Sequence, residues 1–184
     1  MSWSAPTGQS TGIANGVFTG YRVYRSGTAT AVYQGTGLTF TDTGRTANTS
    51  YTYTVKAYND AGESPGASAS ATTAPGTPGT PSVALTGTAW SASWSTGSGA
   101  ATYDLETTED TGTTSTTTYS TASTNYGTDP GVVGARYQAR ARSVNAAGLH
   151  SSWSSLSAWT TYAVAEPAGS LTCLLYTSPS PRDQ

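Results

Sequence analysis

The chain has 184 residues, of which only 10% are charged, with a net charge of −2 and one lysine, Lys56. Ordinary globular domains carry about 25% charged residues, so this is a neutral, hydroxyl-rich surface without the concentrated positive field that a nucleic-acid partner needs. No stretch is apolar for long enough to span a bilayer. The single cysteine, Cys173, excludes an internal disulfide and has no companion ligands for a metal site, so stability must come from hydrophobic cores.

In chain order, Met1 runs straight into Ser2-Trp3-Ser4, which reads as the end of a strand entering a turn, with no leader-like stretch and no earlier strand before it. Tyr21-Arg22-Val23-Tyr24 alternates as a half-buried strand should. Ala31-Val32-Tyr33, Leu38-Thr39-Phe40-Thr41 and Tyr51 to Ala57 continue the strand signals, and Asn59-Asp60-Ala61-Gly62 reads as a turn. Ala67 to Thr73 is a last strand of weak propensity. Residues 74–81 then place prolines at 75, 78 and 81, which deny the segment helix or a central sheet position and predict an extended linker.

The pattern restarts after the linker. Ser82 to Leu85, Ala89 to Trp94 and Tyr103-Asp104-Leu105-Glu106 are expected strands. Thr107 to Ser123 predicts two short strands about a turn at Asp110-Thr111-Gly112. Tyr137 to Ser143 alternates, Asn145 to Gly148 is a turn, and Ser157 to Val164 is expected as the final strand. No segment has helical periodicity.

The halves repeat. Tyr51, Asn59 and Gly62 recur with identical spacing as Tyr137, Asn145 and Gly148. Ser2-Trp3-Ser4 recurs as Ser93-Trp94-Ser95, Tyr21-x-Val23 as Tyr103-x-Leu105, and Phe40 and Tyr126 each fall eleven residues before the repeated tyrosine. This pattern, ending in Tyr51-Thr-Tyr-Thr-Val55-Lys-Ala57-Tyr-Asn59-Asp-Ala-Gly62-Glu-Ser64, resembles the fibronectin type III family. The resemblance implies an all-β chain: two tandem fibronectin type III (immunoglobulin-like) β-sandwiches joined by a Pro/Gly linker. The expected division is 1–73 (a module lacking its first strand), 74–81 (linker), 82–164 (a second module) and 165–184 (an unstructured tail). It also implies that Trp3 and Trp94 fill the space between sheets and that Tyr51 and Tyr137 form tyrosine corners. Arg45 departs from the pattern, which has Leu there. Residues 173–183, Cys-Leu-Leu-Tyr-Thr-Ser-Pro-Ser-Pro-Arg-Asp, resemble a translated sequencing adapter and are excluded from fold reasoning.

The residues offer little chemistry. His150 is the only histidine and reads as a solvated loop residue, because a base needs a positioned partner. Glu106, Glu109 and Asp110 lie close enough in sequence to bind Ca²⁺ weakly, but calcium takes six or more oxygens, and they read as a solvated strand end and turn. Period-2 spacing puts Arg136, Arg140 and Arg142 on one strand face. Trp90 falls on the side of Trp94, while Trp153 and Trp159 are the candidates for stacking on a sugar ring. No catalytic, cofactor or metal residue is assigned. The expected function is a non-catalytic structural or adhesion spacer in a larger extracellular or virion protein. The similarity extends to modules of phage tail-tip and host-specificity proteins and of secreted bacterial glycoside hydrolases. The alternative is an accessory module that binds carbohydrate or a cell surface, through Trp153, Trp159 or the 6–19 loop. Expected partners are a protein or cell-surface glycan and the neighbouring domains of a longer chain.

Overall fold

A computed structural model describes residues 1–5, 17–86 and 89–163. Most of the 6–19 loop, Val164, the 165–184 tail and the adapter-like residues with Cys173 lie outside the described residues. Among the described residues twelve strands occur in chain order: β1 (Gly20–Arg25), β2 (Tyr33–Gly35), β3 (Ser50–Asn59), β4 (Gly62–Glu63), β5 (Ala67–Thr72), β6 (Ser82–Thr86), β7 (Ala89–Ser93), β8 (Thr102–Asp110), β9 (Thr114–Thr121), β10 (Asn125–Pro130), β11 (Arg136–Val144) and β12 (Thr160–Thr161). They form two tandem β-sandwich modules, and every described pairing between strands is antiparallel.

The second module has two full layers. One sheet runs β10-β7-β6 and the other β12-β11-β8-β9. Strict alternation along β11 buries Tyr137, Ala139, Ala141 and Ser143 and turns Arg136, Gln138, Arg140 and Arg142 outward. Trp90, Ala92 and Trp94 from β7 and the residue after it meet Tyr103, Leu105 and the β11 alanines in one core. The alanines leave room between the sheets, and the indoles fill it. Trp90 therefore belongs to the core, stacked on Tyr137 at 6.2 Å.

The first module has one full layer. β2-β1-β3-β4, with β5 on β3, forms a five-stranded sheet. The opposing layer is a single bridge, Ser2 to Thr39, flanked by Trp3 N–H to Leu38 C=O at 3.0 Å and Phe40 N–H to Met1 C=O at 3.1 Å. Val23 is fully buried, but β5 is exposed at every residue.

Two segments depart from simple strands. Residues 74–81 are extended, with Pro75, Pro78 and Pro81 all buried, while Gly76 and Gly79 donate to the carbonyls of Ser98 and Ser95 at 2.9 and 3.1 Å. A polyproline-type backbone repeats every three residues, so prolines at that interval share one side. Of the described part of the final strand expected over Ser157 to Val164, only Thr160–Thr161 is a strand. Before it, three serines do the pairing. Ser151, Ser154 and Ser157 donate their N–H groups to the carbonyls of Ser143, Ala141 and Ala139. Their hydroxyls accept the N–H groups of the same three residues at 2.9–3.0 Å. Three residues of this segment thus run beside two of β11, and hydroxyl oxygens stand in for ladder carbonyls.

Candidate functional site

The outer face of the second module is assembled from β8, β11 and residues 151–159. Register places Arg136 opposite Asp110, Arg140 opposite Glu106 and Arg142 opposite Asp104. Directly opposed opposite charges are favourable in a sheet, and all three pairs close. Arg140 is bidentate on Glu106 at 2.7 and 3.0 Å, a geometry that suits the planar guanidinium fork. Arg136 reaches Asp110 at 2.6 Å and Arg142 reaches Asp104 at 2.8 Å. The arginine cluster is a neutralised ladder, and its carboxylates are occupied. The Gly112 N–H and then Arg136 hold the Asp110 carboxyl below its ordinary range. Glu109 points to the other side, where it accepts the Tyr137 hydroxyl at 2.8 Å. Glu106, Glu109 and Asp110 are thus split between two faces, and among the described residues no group of three or more acidic, histidine or cysteine side chains converges.

The three-residue serine period sets where the tryptophans go. With Ser151, Ser154 and Ser157 directed at β11, positions 153, 156 and 159 fall on a common side. The Trp153 ring lies under Arg140 at 5.0 Å and Arg142 at 4.6 Å, and the Trp159 ring under Arg136 at 4.6 Å. Each such interaction contributes about 0.5–1 kcal/mol at an exposed site. Trp159 keeps 38% of its surface exposed and Leu156 46%; Trp153 is half-buried. Both sugar-stacking candidates therefore share one ladder, each with a guanidinium over its ring. His150 sits at the ladder's end, 3.5 Å from Asp104, a carboxylate already held by Arg142 and the Ser120 hydroxyl.

The first module carries a smaller version on its sheet. Glu63 receives Arg22, Lys56 and the Tyr24 hydroxyl. The Tyr24 hydroxyl first, then the Arg22 guanidinium, pull its carboxyl down to about 2. Arg22 lies over the Tyr58 ring at 4.3 Å and Lys56 over Tyr24 at 5.5 Å. Arg45, unexpected at its position, pairs with Asp42 at 3.2 Å beside Arg25.

The strand arrangement and the repeated tyrosines decide the fold. Tyr51 accepts the Thr46 N–H at 3.2 Å and Tyr137 the Val132 N–H at 2.7 Å, at the same step of each repeat. A three-stranded sheet over a four-stranded one, with this corner in both halves, is the immunoglobulin-like arrangement. The fold is fibronectin type III.

No protein-family model matches the chain. Exoglucanase B of Cellulomonas fimi is 42% identical over 125 residues, covering 57% of this chain; the chain spans 11% of that protein's length. A two-domain fibronectin type III segment of chicken tenascin is 20% identical, with 89% of this chain and 90% of that one covered and a TM-score of 0.44. A Fn3-like protein from Clostridium thermocellum is 23% identical, covering 45% of this chain and 88% of its own, with a TM-score of 0.38.

Sequence reading found the arginines and tryptophans separately and missed what joins them. The available signal was Ser151-x-x-Ser154-x-x-Ser157 interleaved with Trp153 and Trp159. Periods of two and three do not match unless one strand is known to lie beside the other.

Proposed function

We propose that these modules are non-catalytic spacers in a larger extracellular protein that acts on glucan. The observation that carries this is the 42% identity with part of exoglucanase B, over a stretch equal to 11% of that protein. It favours a glycoside hydrolase parent over the phage tail-tip parent that the sequence also resembles. The charged groups of the ladder are paired with one another, whereas a nucleophile that acts needs a base positioned to take its proton.

Two measurements test the reading. In the open reading frame that carries this chain, a hydrolase domain in the same frame is expected; tail-assembly genes around it would overturn the hydrolase parent. The purified chain should release no reducing sugar from β-glucan, and turnover abolished by substitution at a ladder residue would overturn the spacer role.

The second reading is glycan binding at the ladder. It is favoured by the exposure of Trp159 and Leu156 on one strip with Trp153. Affinity electrophoresis in soluble β-glucan should then show retardation that Trp159→Ala removes. Equal mobility with and without millimolar sugar would end it.

A further inference from the structure

Asn59 and Asn145 occupy the same place in the two repeats, each opening an Asn-x-x-Gly turn, and both are buried, at 7% and 4% exposure. In each, the side-chain oxygen is committed to its own turn. Asn59 accepts the N–H groups of Ala61 and Gly62 at 2.9 and 3.2 Å, and Asn145 those of Ala147 and Leu149 at 3.0 and 2.9 Å. That assignment fixes which end of each amide is the donor.

The two donors have different fates. Asn145 Nδ2 donates across the module boundary to Asn48 Oδ1 at 3.0 Å. Asn59 Nδ2 is buried with no partner. Buried amide donors are nearly always satisfied, so an orphan at a repeated position asks for its missing acceptor.

The acceptor on the first module is a built plug. Asn48 is the one described non-glycine residue with a positive φ, at 50°, and its N–H is held by the Ala74 carbonyl at 2.9 Å. On the second module, Gly99 makes room for it: a Cβ there would collide with the Asn48 side chain. With Tyr51 and Tyr137 in register, Asn48 corresponds to Gly134. Gly134 repeats the backbone, with φ at 83° and its N–H on the Tyr162 carbonyl at 2.9 Å, but it carries no side chain. The second module therefore has a turn asparagine whose donor is met and no plug, while the first has a plug and a turn asparagine whose donor is unmet.

We propose that the end of the first module around Asn59 is a docking surface for a further β-sandwich module ahead of it in the same polypeptide, whose left-handed loop asparagine accepts the Asn59 Nδ2 hydrogen. The joint is directional. Modules lock where a loop asparagine meets a turn asparagine, and the glycine at position 134 leaves the far end of the second module without that lock. The inference deepens the spacer reading, on which it rests, by naming the neighbour and the contact.

The test extends the full chain at its amino end by a copy of its own residues 1–91. This sets Ser82–Thr86 ahead of Ser2 at the spacing it has from Ser93, and presents a second Asn48 to Asn59. The expected result, by NMR hydrogen exchange, is that the Asn59 side-chain amide of the original copy exchanges about tenfold more slowly. Asn48→Gly in the leading copy, which keeps the backbone and removes the plug, should restore the faster rate. Unchanged exchange in a folded extended chain, or no effect of Asn48→Gly, overturns the proposal. In the unextended chain, Asn48→Gly should speed the exchange of the Asn145 amide and leave that of Asn59 unchanged. If Asn145 does not respond, the plug is not operating and the proposal falls, whether or not the extended chain folds. A hydrolase or phage parent alters none of these outcomes, so the two readings fail separately.

Discussion

The two modules use the same aromatic pair in the same geometry, with different cover. Trp3 meets Tyr21 and Trp94 meets Tyr103 at 5.7 Å and 71° in both cases. Yet Trp94, which continues β7 of a three-stranded sheet, is buried at 7% exposure, while Trp3, beside a single bridge, is only half-buried. Tyr137 is likewise buried and Tyr51 half-buried. Motif residues set local geometry; the strands that flank them in their own layer set how much apolar surface leaves water, and the energy follows the area.

Substitution of the paired tryptophans should break this comparison most visibly. Trp94→Ala should cost the second module about 3–5 kcal/mol, and Trp3→Ala roughly half as much in the first. Urea unfolding followed by module-specific NMR signals would measure both; equal losses would mean that cover does not matter. The tyrosine corners come next. Tyr137→Phe strips the partner from the Val132 N–H in a part-buried bond and should cost about 1–2 kcal/mol, with Tyr51→Phe below about 1.

Ser154→Ala removes the acceptor of the buried Ala141 N–H and should cost about 1–2 kcal/mol. In the first module Ser64 stands where Ser151 stands in the second; Ser64→Ala frees the Ala57 N–H from a part-buried bond and should cost less by the same unfolding assay. Acid should separate the modules further. Glu63 is depressed in the folded state from its ordinary 4.5 to about 2. Its contribution to the first module is therefore complete above pH 4.5 and lost as pH falls toward 2. Glu63→Gln should flatten that part of the first module's stability profile. The smallest effect is expected at the ladder, where Trp159→Ala takes the ring from beneath Arg136 and should cost about 0.5–1 kcal/mol in that contact.

Much of the fold was legible. Alternation placed β1, β3, β8 and β11, and the spacing of Tyr51 and Tyr137 located both corners, because a strand writes its buried face into every second residue. The turn at Asp110-Thr111-Gly112 between β8 and β9 was readable from residue type. The last strand was not. Ser151, Ser154 and Ser157 carry a period of three, and nothing local says that their hydroxyls will replace a neighbouring strand's carbonyls. The candidate site was legible only in pieces, since Trp153 and Arg142 meet through pairing between separate segments.

The sequence by itself determined the tandem β architecture and the tryptophan and tyrosine positions. Only the tertiary structure decided that the arginines are neutralised by β8, that both candidate tryptophans lie under guanidinium groups, and that Asn48 satisfies Asn145 while Asn59 goes without. Periodicity and residue type act within a strand. Register, cover and the satisfaction of a buried amide depend on segments far apart in the chain, and those are fixed only when the sheets close.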